Sequence, residues 1–123
     1  MKHVLICILA FNALNFSAQI KKKDLGTYKG SIPSYKINNG SQLLEVASCN
    51  ITVSVDKENL KLVVGSKTYS GAYVVKKIKR RAYNIHLTTP HSQIEEVFRL
   101  EGKERRMLRK GIFPQPDCEL IKL

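Results

Sequence analysis

The chain has 123 residues, 43% of them hydrophobic but only 7% aromatic, and its 21 Lys and Arg outnumber its 10 Asp and Glu. That length supports one domain with a single modest core and excludes a chain of several domains. The net charge of +11 favours anionic partners and fast encounter with them, and carries no information about fold.

In chain order, Lys2 precedes an apolar stretch from Val4 to Phe11, and Ser17 and Ala18 supply small residues at its exit. These are the three parts of a secretory signal, so residues 1–18 are expected to be a cleaved signal peptide and residues 19–123 the exported domain. The apolar stretch is interrupted by Asn12 and Asn15 and is well short of the roughly 20 residues a spanning helix needs, so a retained membrane anchor is the weaker reading. Ile6 before Cys7 is not the small residue that lipidation of that cysteine requires. The expected location is therefore periplasmic or extracellular, in soluble form. Cleavage takes only Lys2 from the charged set and leaves about +10 on the exported domain.

Cleavage also removes Cys7 and leaves Cys49 and Cys118 in an oxidising compartment. A disulfide between them would close a loop of about 70 residues and contribute roughly 4 kcal/mol in the chain-entropy picture. The alternative is a pair of buried free thiols.

Further along, GTYKGSIPSYKI reads as a first strand broken near Pro33, and Gln42 to Val46 as a lead into the next strand. SCNITVSV alternates without interruption, with Cys49, Ile51, Val53 and Val55 on one face and Ser48, Asn50, Thr52 and Ser54 on the other, the signature of a half-buried strand. Leu60, Leu62 and Val64 form a second such row, and Gly65 and Ser66 suit a hairpin turn. KTYSGAYVVKKIK is rich in β-branched and aromatic residues, and Gly71 stands where a strand would kink or bulge. RAYNIHLTT follows as its antiparallel partner, joined near Lys79 and Arg80. EVFRL, RRMLRK and CELIKL complete the series, with a turn at Glu101, Gly102 and Lys103. The segment 92–101 has two readings: Ser92 with Glu95 imitates a helical capping box, whereas Val97, Phe98 and Leu100 running into a hairpin-like turn favour a strand. The expected fold class is all-β, a small antiparallel meander barrel of about seven to eight strands.

The GTYKGSIP segment, together with LEGKERRMLRKGIF and the closing CELIKL, resembles the small lipocalin-like barrels of the bacterial envelope, in particular the NlpE-like family. The resemblance implies a lipocalin-like barrel in an envelope protein. The chain departs from that family where its paired cysteines, a proposed metal site, follow the first strand: Ser34 and its neighbours stand there, and Cys49 stands alone. The family's lipid anchor has no counterpart either. No metal or other cofactor is expected.

His86 and His91 have no cysteine or carboxylate at a ligand spacing. Ser70 in YSGAY lacks the GxSxG frame of a nucleophile elbow. Glu95 and Glu96 are adjacent, so a strand sends them to opposite faces and they cannot act as one acid–base pair. Catalytic residues are therefore not expected, and a non-enzymatic protein is. The basic residues fall in three runs: Lys21 to Lys23, KKIKRR from Lys76 to Arg81, and Arg105, Arg106, Arg109 and Lys110. Of these, Lys76, Lys77, Lys79, Arg80 and Arg81 make the candidate anion-binding surface. Export argues against nucleic acid, leaving anionic lipid, lipopolysaccharide or an acidic envelope component as partners.

Two functions remain in contention. One is a binding barrel that holds an apolar or amphiphilic ligand inside, with a basic rim for an anionic head. The other is an interaction module, an inhibitor or accessory subunit, acting through its outer surface. YSGAY is similar to a segment of lysozyme inhibitors, but a cationic chain is poorly matched to a cationic lysozyme. The interior discriminates: if Tyr28, Ile32, Ile51, Val53, Leu62, Tyr83, Leu87 and Phe98 fill it, the surface role is favoured.

Overall fold

The computed structural model describes residues 19–88 and 95–123. The expected signal peptide with Cys7, and the connection that carries His91 and Ser92, lie outside the described residues. After a 3-10 turn at Lys22–Asp24, the chain forms β1 (Gly26–Ile32), β2 (Tyr35–Asn38), β3 (Leu43–Val46), β4 (Cys49–Val55) and β5 (Asn59–Val64). It continues through β6 (Lys67–Lys79), β7 (Ala82–Thr88), β8 (Glu95–Glu101), β9 (Arg106–Arg109) and β10 (Cys118–Lys122). The all-β expectation holds, and residues 95–101 are strand.

Eight of these strands close an antiparallel barrel in the order β1-β10-β9-β8-β7-β6-β5-β4. Closure depends on β1, which pairs with β4 along its whole length, Gly26↔Val55 to Ile32↔Cys49, and with β10 from Tyr28↔Lys122 to Gly30↔Leu120. Gly30 lies at this seam, where an added Cβ would drive into the Glu119 carbonyl. The segment Gln42 to Val46 departs from its expected role as a lead into β4. β3 instead pairs with β2 from Tyr35↔Val46 to Asn38↔Leu43 and makes a separate two-stranded ribbon.

β6 serves two neighbours in turn: Lys67 to Ala72 pair with β5, and Tyr73 to Lys79 with β7. The irregularity expected at Gly71 falls instead between Lys77 and Lys79. There Ile78 is the extra residue, and the strand ends in a turn whose Arg81 has a φ of 59°.

The interior is filled. Tyr28, Ile32, Ile51, Val53, Leu62, Tyr83, Leu87 and Phe98, the residues expected to decide this, are each no more than 1% exposed. Val55, Leu60, Ile85, Leu100, Met107 and Leu120 join them in one cluster. Alternation alone accounts for this: along β4, residues 51, 53 and 55 are buried while 50, 52 and 54 are not.

At the end of the barrel where β1 stops, the expected disulfide is not formed, and Cys49 and Cys118 are free thiols. Cys49 is the partner of Ile32. Continuing the β1–β10 register by two residues sets Cys118 on the other flank of Ile32. Two interstrand spacings of about 4.8 Å exceed the roughly 7 Å limit between bridged Cα atoms. Burial raises the pKa of the Cys118 thiol, with Arg109 partly opposing it, whereas Cys49 is only half-buried. Alkylation of the native, reduced protein with iodoacetamide, followed by peptide mass analysis, should therefore label Cys49 well before Cys118; equal rates would contradict the placement.

Candidate anion-binding surface

The two ends of the barrel differ in chemistry. We call base the end that carries the N-terminal 3-10 turn and the β6–β7 and β8–β9 turns, and mouth the end that carries Cys49, Cys118 and the β2–β3 ribbon.

At the base, Asp24 is 1% exposed and its carboxylate is held from two sides. Arg81 donates from Nη2 to Oδ1 at 2.7 Å and from Nε at 3.3 Å, and the Tyr83 hydroxyl donates to Oδ2 at 3.2 Å. Tyr28 donates its hydroxyl to the Asp24 carbonyl at 2.7 Å, and the Lys21 amide donates to the Tyr83 oxygen at 3.2 Å. Gly102 passes so close to Asp24 that a Cβ there would collide with the carboxylate. Gly102 and Arg81 also exchange main-chain and side-chain bonds: Gly102 N–H to the Arg81 carbonyl at 2.8 Å, and Arg81 Nη2 to the Gly102 carbonyl at 3.1 Å. An arginine in the left-handed region costs energy and persists where its surroundings fix it. Here the buried carboxylate does so.

This network separates Arg81 from the other members of the candidate surface. Arg81, named with the other four cations as part of the candidate surface, is committed instead to neutralising a buried acid 57 residues away in the chain. Lys76 pairs with Asn84 on the outer wall, beside exposed Val74. Lys77 pairs with buried Tyr83 and so continues the inward row to the rim of the base. Lys79 and Arg80 are exposed at the turn.

The same network brings in cations that the sequence places far away. By anchoring the 3-10 turn, Asp24 sets Lys21, Lys22 and Lys23 over the base, all exposed. The Lys122 ammonium donates to the Lys23 carbonyl and holds this turn from the other side. The Lys21 ammonium has a lowered pKa, through partial desolvation first and then through Lys23, Arg80, Lys77 and Arg81. The Arg81–Asp24 contact at 2.7 Å is what fixes the two basic runs against each other at this end, and the direction of the Lys21 shift agrees with it. Across the base, Lys103 and Glu104 face Lys79 and Arg80 over a cleft of about 290 Å³. Glu101, also on the cleft, is engaged by Arg106 at 2.6 Å and Arg99 at 3.3 Å. Among the described residues, Lys21, Lys22, Lys23, Lys77, Lys79 and Arg80 make no ion pair, and of the acids lining the cleft Glu101 is engaged and Glu104 alone faces them, so positive charge is in clear excess at this end.

The third basic run is dispersed. Arg105 stays at the base, Arg106 binds Glu101 and Glu119 on the wall, and Arg109 is buried against Glu96 at the mouth. Glu95 and Glu96 diverge as strand alternation requires: Glu95 meets His86 on the outer wall at 2.8 Å, while Glu96 turns inward. Among the described residues no group of three or more His, Cys, Asp or Glu is placed to hold a metal ion, and no helix is long and apolar enough to cross a membrane.

Two consequences are measurable. Replacing Arg81 with Ser should lower the melting temperature by more than about 5 °C, the scale on which the loss of one substantial interaction shows in a domain of this size. Lys79→Ser with Arg80→Ser should leave it unchanged. Burial and Asp24 push the Tyr28 phenol up to about 12, whereas an unfolded tyrosine ionises near 10. The stability that neutral Tyr28 contributes is thus complete below about pH 10 and lost as pH rises through about 12. A Tyr28→Phe variant should show a shallower fall of melting temperature across that window; an unchanged slope would rule out Tyr28 as its source. Compared with family models, curated proteins and solved structures, the chain matches none.

Proposed function

We propose that this chain is an exported, non-enzymatic binding protein of the cell envelope, whose basic barrel end engages an anionic surface such as lipid headgroups or lipopolysaccharide. The observation that carries this reading is the convergence of Lys21 to Lys23 with Lys77, Lys79 and Arg80 at one end, where the Arg81–Asp24 ion pair ties the 3-10 turn to the β6–β7 turn. A surface that only kept the domain soluble would gain nothing from such crowding, because like charges destabilise the fold that gathers them. Export rests on the N-terminal pattern of Lys2, the Val4 to Phe11 stretch and Ala18, and it directs the choice of anion away from nucleic acid. The filled interior favours a partner held on the outside over a ligand enclosed by the strands, which also keeps the interaction-module reading in view.

The test is binding to vesicles of phosphatidylglycerol in phosphatidylcholine, and separately to lipopolysaccharide, across ionic strength. Affinity should fall steeply once the Debye length drops below about 8 Å. Lys77→Ser, Lys79→Ser and Arg80→Ser combined should weaken binding by about two orders of magnitude at low salt. Arg81 is left in place so that the fold is not perturbed. Binding indifferent to salt, or a triple variant as tight as the parent, would show that the base is a solvated surface.

A further inference from the structure

At the mouth, the barrel is closed inside by Ile32 and Phe98, but a groove of about 610 Å³ lies above them, under the β2–β3 ribbon. The ribbon is amphipathic by its register. Tyr35↔Val46 and Ile37↔Leu44 share one face, and Lys36↔Glu45 and Asn38↔Leu43 the other. Tyr35, Ile37 and Val46 line the groove from above, while Val64, Ile112 and Pro114 line it from the barrel side. A two-stranded ribbon has little stability of its own, and here its apolar face is only half covered: Tyr35, Ile37 and Val46 keep intermediate exposure and Leu44 is 46% exposed. The volume falls in the range of small-molecule sites.

The polar part of the groove centres on one buried arginine, with Glu96, Gln115, Ser66 and Lys67 around it. Arg109 is 3% exposed and donates from Nε and Nη2 to Glu96 at 2.9 and 3.0 Å, and from Nη1 to Gln115 at 3.0 Å. A guanidinium carries five N–H donors, so these bonds leave two for a further acceptor. Glu96 cancels the charge of Arg109, and Lys67 at the start of β6 adds an exposed cation to the lining. The charged groups facing the groove therefore sum to a single positive charge.

We propose that this groove binds a small amphiphilic monocarboxylate, with the acid group on Arg109 and Lys67 and the apolar chain against Tyr35, Ile37 and Val46. One negative charge balances the lining, and planar carboxylate oxygens match guanidinium donors. The chain of the ligand supplies the apolar cover that the ribbon lacks. The site lies at the end opposite the basic base and outside the filled core, and it is independent of the proposed electrostatic role.

Cys49 lines the same groove and gives a direct readout. Decanoate, titrated calorimetrically below its micelle concentration into the exported protein, should bind saturably at one site and slow alkylation of Cys49. Ile37→Asp, at a half-buried ribbon position, should weaken binding by about tenfold or more, and Lys67→Ser by about threefold. Methyl decanoate, which lacks the anionic head, should bind more weakly than decanoate. The triple variant at Lys77, Lys79 and Arg80 should bind decanoate like the parent, which separates this site from the base. Absence of saturable binding, unchanged affinity in Ile37→Asp, or equal binding of the methyl ester would overturn the proposal.

Discussion

The architecture depends on one strand having two partners. A meander of antiparallel strands leaves an unpaired edge at each end, and such edges invite association with other chains. β1 removes both by pairing with β4 on one side and β10 on the other. Once it does, every inward side chain faces a closed space, and the period-2 rows of β4, β5, β7 and β8 become one core. The glycine at position 30 belongs to this constraint, because β10 can cross β1 there only where no side chain intervenes.

Closure also divides the molecule into two ends with different physics. At the base, the buried Asp24 carboxylate is stabilised by Arg81 and Tyr83, and the cost of holding Arg81 in a left-handed conformation is offset by that contact. Because Asp24 terminates the run Lys21 to Lys23, burying it commits three lysines to the same face as the β6–β7 turn. The buried acid is thereby the device that gathers the cationic end. At the mouth, by contrast, the buried pair Arg109 and Glu96 is nearly neutral, and the groove above it mixes the apolar ribbon residues with Ser66, Lys67 and Gln115. The base gathers unpaired cations with Ile78, Ile121 and Leu123 exposed beside them, whereas the mouth sets a neutral buried pair under the apolar face of the ribbon, so the two ends suit partners of different chemistry.

The idea of an enclosed ligand with a basic rim joined two features that the molecule keeps apart. The core residues expected to fill the barrel do fill it, and the basic rim lies at the end away from the groove. What an interior ligand would have needed, a cavity reaching from the mouth into the barrel, is occupied by Tyr28, Tyr83 and Phe98.

The fold class was legible in the sequence because a strand buries every second residue, and this period is written plainly in Ile51, Val53 and Val55, in Leu60 and Leu62, and in Tyr83, Ile85 and Leu87. Eight of the core residues, the β6–β7 junction at Lys79 and Arg80, and the opposed faces of Glu95 and Glu96 follow from that local rule alone. The separate β2–β3 ribbon was not legible, since Leu43 to Val46 reads equally well as a barrel strand and only pairing partners distinguish the two. Nor was the fate of individual charges. Lys79, Arg80 and Arg81 are equivalent as a run of cations, but the turn points one of them at Asp24, 57 residues earlier, and leaves the others in solvent. The cysteines show the same limit: two thiols in one chain suggest a bridge, while whether they meet depends on β1 passing between them. Local periodicity determined which residues are buried; long-range register, which no local pattern encodes, decided which buried and charged groups face one another.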